Sequence, residues 1–429
     1  MKDVIGAPAG WLARAIATRR LSSLEVVRAH LEHIHTVNPR LNAVVFATAE
    51  SALKDARAAD RRNRRNAVLG PLHGVPFTAK DIFDTAGLPT TAGLRMLRSN
   101  IPEKDATVIA RMRRAGAILI GKTNCPPGGA GDDSWNPLHG GTRNPYDLNR
   151  SPGASTSGEA AIIAAGGSPL GVGSDSGGSI RLPAAYCGVA ALKPTAGLVP
   201  VTGAYGLVGG LSDPRSQVGP MARYVSDLRL GLRVMAGPDG LDSGVVPVSM
   251  RRHTPQLEGL RVAFYADDGL ARPTQAVQAA VRAAAAALAS AGCRITEERP
   301  PALGEARQVT LAYWGRKHMD HDKLYGRWDH FRTSLMQFMT RFDLILSPVA
   351  PDVAPLYRAV VKPEHQFSYT LPYSLSGSPC AVVRAGGSKE GLPIGVQLVA
   401  ASWQDALTLR AARAIERALG GWRPASVVS

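Results

Sequence analysis

The chain has 429 residues, a net charge of +16 and 45% hydrophobic side chains, enough apolar material for one large core or two modest ones. Its longest apolar runs, near 279–288 and 160–165, fall well short of the ~20 residues that span a bilayer, which excludes a membrane helix. Four scattered cysteines, Cys125, Cys187, Cys293 and Cys380, form no CxxC pair, which fits free thiols in a reducing cytoplasm better than a disulfide framework or a zinc site.

Taken in chain order, residues 1–20 carry Lys2 and Asp3 ahead of brief apolar pieces, so no signal peptide is expected. Ser22-Ser23-Leu24-Glu25 is a capping box. Its helix is expected to run to about Val37, where Asn38-Pro39 ends it, with Leu24, Val27, Leu31 and Ile34 as the apolar stripe. Residues 1–60 thus read as an N-terminal helical segment packed on the core, and 61–429 as a single domain. The run Arg61-Arg62-Asn63-Arg64-Arg65 lacks interleaved aromatics and is expected in a solvated loop after a helix. Other basic residues are spread along the chain, so nucleic acid is not an expected partner, and homodimer formation is left open.

Strands are expected at 74–78, 117–120, 170–173 and 189–193, with helices at 105–115 and 158–165 between them. Further on come a strand at 260–265, an Ala-rich helix at 274–291 and a strand at 294–297. Pro300-Pro301 then opens an irregular segment, 302–342, followed by core strands at 344–346 and 395–399 and a closing helix at 403–419. This alternation predicts an α/β fold on a parallel or mixed sheet.

Two suggestive motifs fail on context. Residues 116–123, Gly-Ala-Ile-Leu-Ile-Gly-Lys-Thr, match the Walker A spelling, but a phosphate loop follows a strand, whereas here the variable positions are themselves a buried strand. His318-Met319-Asp320-His321 has no third ligand partner in the sequence, so no metal is expected. The remaining candidates are two Gly/Ser-rich segments: Ser151-Pro152-Gly153-Ala154-Ser155-Thr156-Ser157-Gly158, which leads into a helix, and Gly173-Ser174-Asp175-Ser176-Gly177-Gly178-Ser179-Ile180-Arg181, which follows a strand. Acyl transfer needs a nucleophilic hydroxyl where backbone N–H groups converge on a developing oxyanion. Gly177-Gly178 before Ser179 permits that close approach, and Asp175 and Arg181 flank the turn with opposite charges. Gly-Gly-Ser alone would read as a flexible loop or a phosphate cradle; the flanking charges and strands favour a rigid functional turn.

In these segments the chain resembles the amidase signature family. The resemblance rests on residues 173–183, on Cys187-Gly188 followed by Leu192-Lys193-Pro194-Thr195, and on Gly74-Val75-Pro76-Phe77-Thr78-Ala79-Lys80-Asp81 upstream. It rests also on residues 115–124, which accounts for the false Walker match, and on Gly391-Leu392-Pro393-Ile394-Gly395-Val396-Gln397; it spans about residues 20–420. The family fold it implies is a central twisted mixed sheet covered on both faces by helices. The implied triad is Ser179 as nucleophile, Ser155 as proton bridge and Lys80 as base. The implied oxyanion hole is the N–H groups of Ser176, Gly177, Gly178 and Ser179. Ser155 would be entered through a cis peptide bond, here from Ala154 where glycine is usual.

Lys80 taken alone would read as a surface lysine paired with Asp81; the motif requires it neutral and buried, which the apolar Val75, Phe77 and Ile82 favour. The implied reaction is hydrolysis of a linear small-molecule amide without cofactor, with Gly128 and Gly129 in the loop that contacts substrate. Departures include Ser174 for threonine, Thr156 for serine, Ser157 and Ala191 for glycines, and Leu94 in a usual Thr-Thr-Ala-Gly-Ser stretch. The loop Cys125-Pro126-Pro127 resembles the version in fatty-acid-amide-hydrolase-like members. Segment 302–342, with Tyr313, Trp314, Tyr325, Trp328 and Phe331, is expected either to face an aryl or hydrophobic acyl group or merely to pack a lid. The alternative reading is the glutamine-hydrolysing A subunit of a tRNA-dependent amidotransferase; the basic charge favours it, while the short chain and Pro126-Pro127 loop disfavour it.

Overall fold

A computed structural model describes residues 2–210, 213–248, 256–315 and 320–425. Eleven strands form one sheet: β1 (Val44–Ala47), β2 (Pro76–Lys80), β3 (Ile118–Thr123), β4 (Leu170–Asp175), β5 (Ala190–Lys193), β6 (Gln217–Ala222), β7 (Arg261–Phe264), β8 (Arg294–Glu297), β9 (Leu344–Pro348), β10 (Cys380–Gly387) and β11 (Pro393–Val399). Their order is β1-β3-β2-β4-β6-β5-β10-β11-β9-β7-β8. The β3-β2-β4 and β9-β7-β8 trios are parallel, and the strands between them pair antiparallel. The sheet is mixed, as expected.

Strand periodicity sends alternate side chains to opposite faces, and each face is buried by its own helices. Ala117 and Leu119 join one core cluster while Ile118 and Ile120 join the other; Ala381 and Val383 part from Val382 in the same way. The first face is covered by helices Ala9–Ala17, Thr107–Arg114, Val225–Met235, Gln275–Ser290 and Asp405–Leu419. The second is covered by Ser23–Leu41, Ala49–Arg64, Ser157–Ala164 and Arg181–Tyr186.

Several expectations are corrected. The first long helix passes Pro39 and runs to Leu41, with the left-handed Asn42 as its cap. Pro39 has no N–H to give the helix, and Asn38 Oδ1 fixes the chain just past the helix end by accepting from the N–H groups of Ala43 and Val44 at 2.8 Å each. Arg61, Arg62 and Arg64 stand exposed in the last turn of helix Ala49–Arg64, with Asn63 buried and Arg65 as the cap, rather than in a loop; cations favour the carboxyl end of a helix. Within residues 1–60, Val44–Ala47 is the edge strand beside β3.

The described residues of segment 302–342 carry two helices, Leu303–Trp314 and His321–Met339. The second of these helices has Asp320 as its N-cap and the buried stripe Leu324, Trp328, Phe331, Leu335 and Phe338, which is helical spacing. These helices cover a third core cluster that includes Ala263, Ile345, Cys380 and Val399 of β7, β9, β10 and β11. Of the His318–His321 segment, His318 and Met319 lie outside the described residues. No helix of the described residues is long and apolar enough to cross a membrane.

Candidate active site

The site forms where three chain segments meet at the ends of β2 and β4. These strands are parallel neighbours, with Thr78 opposite Gly171 and Ala79 opposite Val172. Lys80 is the last residue of β2, and β4 runs out into the turn that carries Ser179. Between them lies Ser155, joined to Ala154 by a cis peptide bond. Thr156 ties that segment down: its N–H donates to the Ser179 carbonyl at 3.1 Å and its hydroxyl to the Ser174 carbonyl at 3.1 Å.

Lys80 is fully buried. Its Nζ donates to Ser155 Oγ at 2.8 Å, to Ser174 Oγ at 3.0 Å and to the Gly129 carbonyl at 3.2 Å. Burial lowers its pKa from 10.5 to about 8, against the opposing influence of Cys125 and Asp175. No carboxylate is paired with it among the described residues, because the neighbouring Asp81 lies 3.0 Å from Lys122 instead. A lysine desolvated and left without an ion pair is a base near neutral pH.

Asp175 organises the turn that carries Ser179. Its carboxylate accepts the N–H groups of Gly178 at 2.8 Å, Ile180 at 3.1 Å and Arg181 at 3.3 Å. It also receives the Arg181 guanidinium through Nε and Nη2, both at 3.0 Å. Burial alone would raise the Asp175 pKa; the charge and hydrogen bonds of Arg181 outweigh it and hold the carboxyl below its ordinary value. Arg181 is anchored in turn to the Thr370 carbonyl at 2.9 Å and Ser374 Oγ at 2.7 Å. Gly178 sits at φ +142°, and a Cβ there would lie 2.4 Å from Thr370 Oγ1, so the turn requires glycine.

The four amides expected to hold an oxyanion do not stand alike. Gly178 N–H is committed to Asp175, whereas those of Ser176, Gly177 and Ser179 have no partner among the described residues. The Ser179 hydroxyl opens onto a cavity of about 780 Å³ that Ser155, Ser174, Gly128 and Gly129 also line. The Lys80–Ser155 contact is closed; no hydrogen bond joins Ser155 to Ser179 in this structure.

The aromatic cluster divides. Trp314 lines the cavity against the Ser179 turn, where a Cβ on Gly177 would meet its ring at 3.1 Å. Tyr313 also lines the cavity, with the Arg215 guanidinium 3.8 Å from its ring centroid. Trp328 and Phe331 are buried in the third core cluster, and Tyr325 stacks outside on Trp328. Sequence reasoning noticed Ser174 only as a substitution. It missed Arg215 and Thr370, which carry no motif. Lys122 and Thr123, the end of the false Walker motif, contact Asp81 and Glu159 within β3.

The Amidase family profile matches residues 25–325 and 315–409 of this chain. An acylamidase of Rhodococcus erythropolis is 34% identical over 455 aligned residues, covering 94% of each chain. The A subunit of the glutamyl-tRNA(Gln) amidotransferase of Chloroflexus aggregans is also 34% identical, again over 94% of each chain. Among solved structures, a fatty acid amide hydrolase superposes with a TM-score of 0.89 at 28% identity, covering 97% of this chain and 86% of the other.

Proposed function

The chain belongs to the amidase signature family and hydrolyses amides, and from that premise we propose that it cleaves linear carboxamides through an acyl-enzyme on Ser179. Neutral Lys80 takes the proton of Ser155 as Ser155 takes that of Ser179. Ser179 Oγ then bonds to the amide carbon, and the free N–H groups of the turn hold the oxyanion. The proton returns through Ser155 to the leaving nitrogen, the C–N bond breaks, and amine or ammonia departs. Water retraces the path: its proton goes to Lys80 through Ser155, its oxygen bonds to the acyl carbon, and the carboxylate leaves with Ser179 reprotonated.

The observation that carries this reading is the 2.8 Å contact between a buried, unpaired Lys80 and Ser155 at the floor of the cavity onto which Ser179 opens. Trp314 and Tyr313, which line the cavity, support a substrate-facing role for segment 302–342 and favour an amide with an apolar or aryl group. The four cysteines are free and buried, in keeping with a cytoplasmic enzyme. The test is interception: hydroxylamine added during turnover should yield the hydroxamate of the acyl group with wild type and none with Ser179→Ala. A second reading, the glutamine-hydrolysing A subunit of a tRNA-dependent amidotransferase, draws on the likeness to the Chloroflexus protein; purification of the native protein with partner subunits would favour it.

A further inference from the structure

We propose that Glu159 is a positioning residue, bracing the segment that carries Ser155 against the strand that holds Lys80 and its neighbour β3. This rests on the roles assigned above to Ser155 and Lys80. Glu159 is the one acidic residue of helix Ser157–Ala164, all eight residues of which are buried. It lies four residues after Ser155, within the element that Ser155 leads into. Its carboxyl reaches the sheet at two points, with Oε1 hydrogen-bonded to Thr78 Oγ1 and Oε2 hydrogen-bonded to Thr123 Oγ1 at 2.8 Å.

Both contacts bear on Lys80. Thr78 lies two residues before Lys80, on the same face of β2, and Thr123 stands directly opposite Lys80 in the β2–β3 register. A third strand is shaped to admit the carboxyl. Gly171 of β4 pairs with Thr78, and a Cβ on Gly171 would lie 1.8 Å from Glu159 Oε1. Three adjacent strands thus supply two hydroxyls and a vacant notch for one side chain. The effect is to fix the Ser155 segment at a set distance from the end of β2, where Lys80 Nζ meets Ser155 Oγ at 2.8 Å.

No basic side chain pairs with Glu159 among the described residues, and a buried carboxylate without a cation is costly. Burial raises its pKa from 4.5 to about 8, against the lowering by Thr78 and Thr123. At neutral pH the group is therefore largely the neutral acid, one oxygen accepting from a threonine hydroxyl and the other, as O–H, donating to the second threonine, the one-acceptor, one-donor pattern that a glutamine amide reproduces.

The test compares Glu159→Gln and Glu159→Ala for amide hydrolysis, with active sites counted by a fluorophosphonate that labels Ser179. Loosening the base by a fraction of an ångström to 1 Å should lower kcat of Glu159→Ala on the order of 10- to 100-fold per labelled site, with KM little changed. Glu159→Gln should stay within about threefold of wild type. A role in folding alone would lower the yield or melting temperature while leaving kcat per site intact. That result, or a Gln variant no better than the Ala variant, overturns the proposal. Should Glu159→Ala fail to fold, Thr123→Val decides: a lowered kcat at unchanged KM supports the brace, and an unchanged kcat overturns it. Wild type that neither labels at Ser179 nor hydrolyses amides would instead overturn the assignment of the active site itself.

Discussion

The pH dependence of amide hydrolysis should carry the signature of a desolvated lysine. Burial brings Lys80 from 10.5 to about 8, so the neutral fraction rises from about 9% at pH 7 to about 91% at pH 9. kcat/KM should therefore climb about tenfold over that interval and level off above it. A lysine at its ordinary value would instead give about a 100-fold climb with no plateau by pH 9.

Stability supplies an independent reading of the same group. Because the folded-state pKa lies below the unfolded one, the folded protein loses its Lys80 proton first, and wild type gains stability as pH rises from about 8 to 10.5. At about 1.36 kcal/mol per pH unit that gain is on the order of 3 kcal/mol. Lys80→Met lacks the titration, so the difference in unfolding free energy between wild type and this variant should move by that amount between pH 7 and pH 11. Denaturant titrations at the two pH values measure it. A flat rate profile and a pH-independent stability difference would refute the reasoning, since both would mean that Lys80 is not a buried base.

Other perturbations probe the framework. Arg181→Met leaves the Asp175 carboxylate buried without its cation and should destabilise the protein by about 3–5 kcal/mol in urea unfolding; a change under about 1 kcal/mol would show that the pair does not hold the turn. Gly129→Ala sets a Cβ 2.6 Å from Ile82 Cγ2 and 3.6 Å from Lys80 Nζ on a backbone at φ +67°. It should lower kcat at least tenfold while far-ultraviolet circular dichroism stays unchanged, and full activity would mean that the Gly129 carbonyl does not steady Lys80.

Much of the fold was legible because buried strands here are short apolar runs and their helices carry caps and stripes. Strands β2, β3, β4 and β5 fall within a few residues of where those runs place them. β6 was not read at all: its sequence, Gln217-Val218-Gly219-Pro220-Met221-Ala222, contains a glycine and a proline, residues that argue against a central strand. Yet it lies between β4 and β5, with Pro220 opposite Val172. The helices of 302–342 were lost beneath their many charged residues, although the stripe from Leu324 to Phe338 keeps helical spacing. Motif order pointed to Lys80, Ser155 and Ser179, and the charges flanking the Gly/Ser-rich turn pointed to Asp175 and Arg181. Glu159 gave only a faint signal, a lone acid in an apolar helix, because its partners Thr78 and Thr123 come from strands far apart in sequence.

The most direct test of the central claim is intact-protein mass spectrometry after treatment with a fluorophosphonate, followed by peptide mapping. The account predicts one adduct per chain, on the peptide that contains Ser179, abolished in Ser179→Ala and slowed but not moved in Lys80→Ala. An adduct that persists in Ser179→Ala, or that maps to Ser155, would contradict it.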